Sequence, residues 1–172
     1  FQLETAVMIR TFKYRLYPTN AQQRQLDFLL WQGRKVYNAA LEQRIAVYEA
    51  TGKSVTYPQQ WTHFRDLRRK NPDTLGQLNA TSMQQLLRRL DKTFKAFFRR
   101  LKAGETPGFP RFKGRYRFNS LAYRYCDGCK LRTDTRNRKL FYVQNVGEVK
   151  VKYHRPLPDN AAIKHVILKR RH

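Results

Sequence analysis

The feature that most constrains the fold is an apolar repeat between residues 79 and 103. Apolar side chains recur there at helical spacing, at Met83, Leu86, Leu87, Leu90, Phe94, Phe97, Phe98 and Leu101. This period predicts an amphipathic helix from about Asn79 to Ala103 whose apolar stripe packs into a core. The opposite face is cationic, with Arg88, Arg89, Lys92, Lys95, Arg99, Arg100 and Lys102. The helix therefore needs a packed partner on one side and offers positive charge on the other.

Two further helices are predicted before this one. Thr19 stands three residues before Gln22, which is the capping-box spacing, and it opens a long helix that we expect to run to about Ala50. A glycine at position 52 then ends it. The second helix is expected to begin near Pro58, since proline suits the first helical turn, and to end at Pro72.

The three predicted helices together form a helical block. The segments before and after it are predicted to be strands. Residues 8–17 alternate apolar side chains with Arg10, Lys13 and Arg15, which predicts a strand with one basic face. After Gly104, prolines and glycines stop the helical pattern, and short alternating runs predict strands at 117–125, 139–144, 149–153 and 163–169. We therefore predict an α+β fold: a small β-barrel into which the helical block is inserted, with the first strand paired to the late strands.

The charge of the chain selects its class of partner. The 172 residues include 36 Lys or Arg and 12 Asp or Glu, for a formal net charge of +24 at pH 7. A compact fold with this charge repels itself unless a polyanion neutralises it. Hydrophobic residues make up 41%, too many for a solvated basic tail. A folded protein that binds nucleic acid follows, with no membrane partner, since no apolar run approaches the roughly 20 residues of a spanning helix.

The residues that could carry catalysis or bind metal are sparse. No two acids lie three or four residues apart on a predicted helix, so we predict no catalytic centre; a metal nuclease built from scattered acids such as Asp66 and Asp91 ranks last among the alternatives. Cys126 and Cys129 have the spacing of half a zinc site, but no second pair follows at the usual spacing. We predict an Asp-Gly turn flanked by two thiols and no metal site. Two cysteines also cannot form a disulfide framework, which fits a reducing, cytoplasmic compartment.

A run of cations interleaved with aromatic residues follows the helical block. Between Phe109 and Phe118 stand Arg111, Lys113, Arg115 and Arg117. Arginine binds phosphate through two parallel hydrogen bonds, and aromatic rings stack on exposed bases. We predict phosphate contacts for these four cations; the alternative is that the phenylalanines are core and the arginines only solvated.

Several short runs, taken in order, resemble one known family. They are Arg15-Leu-Tyr-Pro18, Val36-Tyr-Asn38, Gly108-Phe-Pro-Arg-Phe-Lys113, Phe118-Asn-Ser120, Gly147-Glu-Val-Lys150, His154-Arg-Pro-Leu-Pro158 and Ile163-Lys164. Together they are similar to the amino-terminal half of TnpB (OrfB), the transposon-encoded RNA-guided nuclease related to compact type V CRISPR effectors. The resemblance covers nearly all of the chain from Met8 onward.

The resemblance implies a particular organisation. Residues 1–7 would be an extension, 8–18 the first strand of a wedge domain, 19–105 a helical recognition domain, and 106–172 the remainder of the wedge domain, which we expect to be incomplete. These parts would hold guide RNA and the guide–target heteroduplex, and would read a short target-adjacent motif on double-stranded DNA. Cleavage would belong to a magnesium-dependent RuvC-like domain that we expect after residue 172, in cis or in trans.

The family's motif-reading positions correspond here to Tyr57, Gln84 and Tyr123, with Arg124 beside the last. Gln84 would read an adenine edge and Tyr57 would pack on a base or sugar. The full set of predicted nucleic-acid contacts is Arg10, Lys13, Arg15, Tyr57, Gln84, Arg88, Lys92, Lys95, Arg99, Arg111, Lys113, Arg115, Arg117, Tyr123 and Arg124. The predicted function is thus the RNA- and DNA-binding portion of an RNA-guided endonuclease in a prokaryotic cytoplasm, nucleoid-associated when bound. A stand-alone basic RNA- or DNA-binding regulator is the alternative.

Overall fold

Helices and strands occupy separate parts of the chain. In this computed structural model, which describes residues 9–171, the elements are β1 (Arg15–Tyr17), α1 (Asn20–Thr51), α2 (Tyr57–Lys70), α3 (Ala80–Lys102), β2 (Ser120–Arg124), β3 (Cys129–Thr133), β4 (Lys139–Val143), β5 (Gly147–Lys152) and β6 (His165–Lys169). The α+β class and the insertion of the helices between the first and second strands are confirmed. The predicted extension at 1–7 and the start of the first strand at Met8 lie outside the described residues.

The helices begin and end where the capping residues predict. The Thr19 hydroxyl accepts a bond from the Gln22 backbone at 3.3 Å, and the Gln22 side chain accepts one from the Thr19 backbone at 3.0 Å. Gly52 ends α1 in the left-handed conformation, with φ 66°. Pro58 lies in the first turn of α2, also as expected. Even α1, the longest helix of the described chain, lacks the apolar stretch that a membrane crossing requires.

The strands form two antiparallel sheets. One has the order β1-β5-β4-β3, and the other pairs β2 with β6. The pairing of Leu16 with Val151 joins β1 to β5, which confirms that the first strand returns to the late strands. The first predicted strand was too long, since β1 begins only at Arg15. The strand β3 was not predicted, because an Asp-Gly turn led us to expect a loop there. Within the described residues, the two sheets do not close into a barrel.

One core joins helices and sheets. It includes Leu29 and Leu41 of α1, Leu87 of α3, Tyr123 of β2 and Phe141 of β4. The contact between α1 and β2 is close at Gly33: a Cβ atom there would lie 2.8 Å from Leu121 Cδ2. A larger residue at position 33 would have to displace the side chains of Leu121 and Phe118, so glycine suits this close approach of the segment after α3 to α1.

The apolar stripe of α3 is buried along only part of its length. Met83, Leu90 and Phe94 are core residues, but Phe98 is 44% exposed and Leu101 is 47% exposed. The expectation that the whole stripe packs was therefore wrong at its carboxyl end. The last turns run beyond the contact with α1 and β2, and the ring of Phe109 supplies a contact there, 5.4 Å from that of Phe97.

A buried polar network locks the three helices together. Arg44 of α1 donates from Nε to Gln60 of α2 at 2.8 Å and from a terminal nitrogen to Asp91 of α3 at 3.0 Å. Lys95 pairs with the other oxygen of Asp91 at 2.9 Å. Burial alone raises the pKa of Asp91, but the hydrogen bonds from Lys95 and Arg44 outweigh it and hold the pKa below its ordinary value. The carboxylate is therefore a structural anion of the helical block.

Candidate nucleic-acid interface

The first cationic surface is the exposed face of α3. Arg88, Lys92, Lys95 and Arg99 are exposed and recur every three or four residues, so they share one side of the helix. Gln84, half-buried, lies one turn before Arg88 on the same side. Four of these five residues are positively charged, so this side of α3 is a ridge of positive charge beside a polar amide.

The structure brings Tyr57 of α2 to this ridge. Arg88 Nε donates to the Tyr57 hydroxyl at 3.3 Å, and the guanidinium carbon lies 5.4 Å from the centre of the tyrosine ring. Tyr57 and Gln84, 27 positions apart in sequence, therefore lie on adjacent parts of one surface through Arg88.

The second cationic surface is the loop 109–117, which is fixed to α1 by one side chain. Asn38 Nδ2 donates to the carbonyl of Lys113 at 3.1 Å, and its Oδ1 accepts from the backbone of Lys113 at 2.8 Å. The Asn38 amide therefore bonds both backbone groups of Lys113, as the backbone of a neighbouring strand would, and holds the loop in place. This pair of hydrogen bonds between Asn38 and Lys113, called the clamp below, connects two of the motifs on which the family resemblance rests.

The loop presents its cations and buries only part of its aromatic content. Arg111, Arg115 and Arg117 are exposed, and so is the ring of Phe112. Phe118 is a core residue, and the half-exposed Phe109 ring packs 5.8 Å from the ring of Phe94. Lys113 turns toward α1, its Nζ 5.8 Å from the ring of Tyr37. Core and surface roles thus alternate along the loop.

The third cationic surface is one face of the four-stranded sheet. Directly paired residues of antiparallel strands lie on the same face, so the registers place on one side Arg15, Tyr17, Lys130, Arg132, Leu140, Tyr142, Glu148, Lys150 and Lys152. This face turns away from the core residues Phe141 and Val149. It carries five cations and two tyrosines against one carboxylate, Glu148, which pairs with Arg132 at 3.1 Å.

Sequence reasoning found only Arg15 on this sheet face. It missed Lys130, Arg132, Lys150 and Lys152. Lys150 and Lys152 alternate with buried or half-buried valines, a pattern that was already visible in the sequence. The other two lie on β3, the strand that was not predicted, so no pattern assigned them to a face.

The remaining predicted residues separate into surface and core. Arg10 and Lys13 are exposed ahead of β1, and Arg124 is exposed at the end of β2. Tyr123 is only 1% exposed, and burial raises the pKa of its hydroxyl to about 12. Its side chain fills the core between β2 and the helices, so a direct contact of Tyr123 with nucleic acid has no support in this structure.

The structure offers little to hold a metal. Across residues 9–171, no group of three or more His, Cys, Asp or Glu side chains converges as a metal site requires. Cys129 is buried, and burial raises the pKa of its thiol to about 12, which disfavours the thiolate that binds zinc. Cys126, three residues earlier, is exposed on the Asp-Gly turn.

Known proteins with similar sequences point to a single family. The OrfB_IS605 family model, described as a helix-turn-helix domain, matches residues 8–53, of which the described part holds β1 and α1. A protein of Streptomyces pristinaespiralis named as an RNA-guided DNA endonuclease is 28% identical over 153 residues, which cover 88% of this chain and 36% of that protein. The Escherichia coli K12 protein InsQ, also named as an RNA-guided DNA endonuclease, is 29% identical over 134 residues, which cover 77% of this chain and 31% of InsQ.

The chain thus spans about a third of the length of these relatives. On these matches, the chain is similar to the amino-terminal portion of the TnpB (OrfB) family of transposon-encoded proteins.

Proposed function

We propose that this chain is the guide-RNA- and target-DNA-binding portion of a transposon-encoded RNA-guided DNA endonuclease. The observation that carries the proposal is the exposed sheet face, where five cations and two tyrosines stand against one paired carboxylate. Cations neutralise phosphates, and tyrosine rings accept bases by stacking. The names of the two relatives supply the RNA guide and the DNA target.

We assign the sheet face and the loop 109–117 to the guide RNA, whose backbone they would contact through Lys130, Lys150 and Arg111. The cationic side of α3 is assigned to the backbone of the target duplex. Gln84 and Tyr57 beside it would read the target-adjacent motif, since a side-chain amide pairs with an adenine edge. In this assignment the strands, whose two sheets do not close within the described residues, would be the wedge domain, and residues 19–105 would be the recognition domain inserted into it.

Cleavage is assigned to residues outside this chain. A RuvC-like domain, in cis or in trans, would supply the carboxylates and the magnesium that strand cleavage needs. The donor set of the described residues does not fit that metal, because no three of its acids converge. This portion binds and positions nucleic acid and does not cut it.

A stand-alone basic protein that coats RNA or DNA without a guide is the alternative. Exposed cations beyond the three surfaces, such as Lys53, Arg69 and Lys70, favour it, since a coating protein uses its whole exterior. The two functions differ in selectivity: a guide-binding module prefers one structured RNA, whereas a coating protein binds unrelated RNAs equally well.

The test is a competition for RNA. The chain is co-expressed with the DNA that surrounds its own reading frame, and the RNA that copurifies is sequenced, transcribed and labelled. We expect it to bind at least about tenfold more tightly than a transfer RNA at physiological salt, with a steep salt dependence for both. Equal affinity would favour the coating function. Magnesium-dependent cutting of a plasmid by the purified 172-residue chain would refute the assignment of cleavage elsewhere.

A further inference from the structure

A groove at the edge of the second cationic surface lies where α1 meets the end of the loop 109–117 and the segment after β6. It encloses about 400 Å³ and is lined by Asp27, Leu30, Trp31, Arg34, Arg115, Phe118 and Arg170. Leu30 and Phe118 are buried and form an apolar floor. The groove has the size of a small-ligand site and combines apolar and charged walls.

The indole ring of Trp31 is only partly packed. It is 43% exposed, whereas the neighbouring Leu30 is buried, and it contacts the ring of Phe28, with the ring centres 5.9 Å apart. The Lys35 amine lies 4.3 Å from the ring centre, so a cation already occupies one electron-rich face of the indole. Lys35 is exposed and flexible, so a flat ligand can displace it from the ring. An exposed tryptophan beside cations is a stacking platform.

Three guanidinium groups surround this platform, and the one carboxylate is already paired. Arg170 donates to Asp27 at 2.8 Å. The Arg170 side chain is 22% exposed and lines the groove, so an anion bound there would lie beside its positive charge. Arg34 and Arg115 line the same groove, so an anion there would meet positive charge from two more sides.

We propose that this groove binds one unpaired nucleotide, with its base stacked on Trp31 and its phosphate held by Arg34, Arg115 and Arg170. A base in the interior of a duplex cannot reach the indole ring, because both of its faces are covered by its neighbours. The groove is thus selective for a single-stranded segment, in either RNA or DNA. This proposal rests on the proposed function, since it adds a single-strand site to a nucleic-acid-binding chain.

The test reads Trp31 directly, since the chain has two tryptophans, at positions 31 and 61. In the full chain with Trp61→Phe, emission comes from Trp31 alone. It is titrated with labelled single strands of about 12 nucleotides, one of RNA and one of DNA, and with the blunt duplex of the same sequence. Anisotropy of the label reports binding, and tryptophan emission reports stacking. We expect at least one single strand to quench emission and the duplex to bind with little quenching.

Two variants distinguish stacking from a structural role. Trp31→Ala should weaken single-strand binding by about tenfold, and Trp31→Phe should retain most of the affinity because a phenyl ring also stacks. Tyr48→Ala, which removes another exposed aromatic ring of α1 far from the groove, should change nothing. The unsubstituted chain and Trp31→Phe, titrated in parallel, give the same answer by difference if Trp61→Phe does not fold.

The outcomes separate the two proposals. Single strands that bind by anisotropy without quenching Trp31 would overturn the groove site and leave the proposed function intact. Equal quenching by a hexaglutamate peptide would also overturn it, because the groove would then be an acidic-peptide site. If no nucleic acid binds at all, the proposed function itself fails.

Discussion

Two ion pairs of nearly the same length differ in burial, and therefore in what they contribute to this molecule. Arg44 and Asp91 meet at 3.0 Å with their side chains 9% and 17% exposed, whereas Arg132 and Glu148 meet at 3.1 Å with both side chains 45% exposed. The first pair joins α1 to α3 inside the helical block. The second lies on the sheet face, where solvent screens it and a phosphate can replace the carboxylate.

The difference shows that burial, more than residue type, sets the task of a cation here. A buried pair cannot be broken without leaving a charge in the core, so Arg44 is part of the scaffold. An exposed pair contributes little to folding, so Arg132 is available for a ligand. The helical block is thus rigid where its charges are enclosed, and the sheet face is adaptable where they are open.

The largest effect should come from breaking the enclosed pair. Asp91→Ala leaves Arg44 without its carboxylate, and removing one partner of a largely buried pair should lower the free energy of unfolding by about 3 kcal/mol. Urea denaturation measures it. Asp66→Ala removes the same side chain from the exposed pair with Arg65 and should change the free energy of unfolding by less than about 0.5 kcal/mol. Equal losses in the two variants would remove the distinction between enclosed and open pairs.

A smaller effect, on binding and not on folding, should come from the sheet face. The triple variant Lys130→Gln, Lys150→Gln, Lys152→Gln should lower the slope of log affinity against log salt for single-stranded RNA by about 2, and the affinity on the order of tenfold to a hundredfold. Its free energy of unfolding should stay within about 0.5 kcal/mol of the parent because all three side chains are exposed. Filter binding over a salt series measures the slope.

The control for charge alone is a second triple variant. Lys53→Gln, Arg69→Gln, Lys70→Gln removes three exposed cations at the ends of α1 and α2. We expect a clearly smaller change in salt slope. If both triple variants lose the same slope, the cations act as a diffuse cloud, and the sheet face is not a distinct interface.

The helical block and the sheet face also differ in how far the sequence predicts them. Helix bounds follow from local chemistry, so Thr19, Gln22 and Gly52 sufficed to place α1. The sheet face depends on register between strands far apart in the chain: Arg15 pairs with Lys152, and no local pattern shows that. Asn38 was part of a recognisable motif, but its clamp on Lys113 spans 75 positions and appears only in the fold. Tyr123 was assigned to nucleic-acid binding through the family resemblance, and no local pattern showed that the core would cover it.

The third prediction concerns the clamp, which joins α1 of the helical block to the loop 109–117. Asn38→Ala removes two hydrogen bonds to the backbone of Lys113 and should lower the free energy of unfolding by about 1 to 2 kcal/mol. Because the loop then loses its fixed position, RNA affinity should fall a few-fold although no cation is removed. Ala39→Ser, at the exposed neighbouring position of α1, should alter neither quantity. A variant that is less stable but binds RNA normally would mean that the clamp has no part in binding.

The smallest effect is the pH dependence of the enclosed pair. The pKa of Asp91 is lowered in the folded chain, so the unfolded state binds the proton more readily, and the contribution of this carboxylate to stability is present at neutral pH. It should be lost as the pH falls from the ordinary aspartate value, about 3.9, through the lowered pKa of the folded state. The stability difference between the parent and Asp91→Asn, followed by urea denaturation from neutral pH into this acid range, should therefore shrink at the acid end. A difference that stays constant with pH would mean that the amide replaces the carboxylate at no electrostatic cost, and that Arg44 needs a hydrogen-bond acceptor and not a counter-charge.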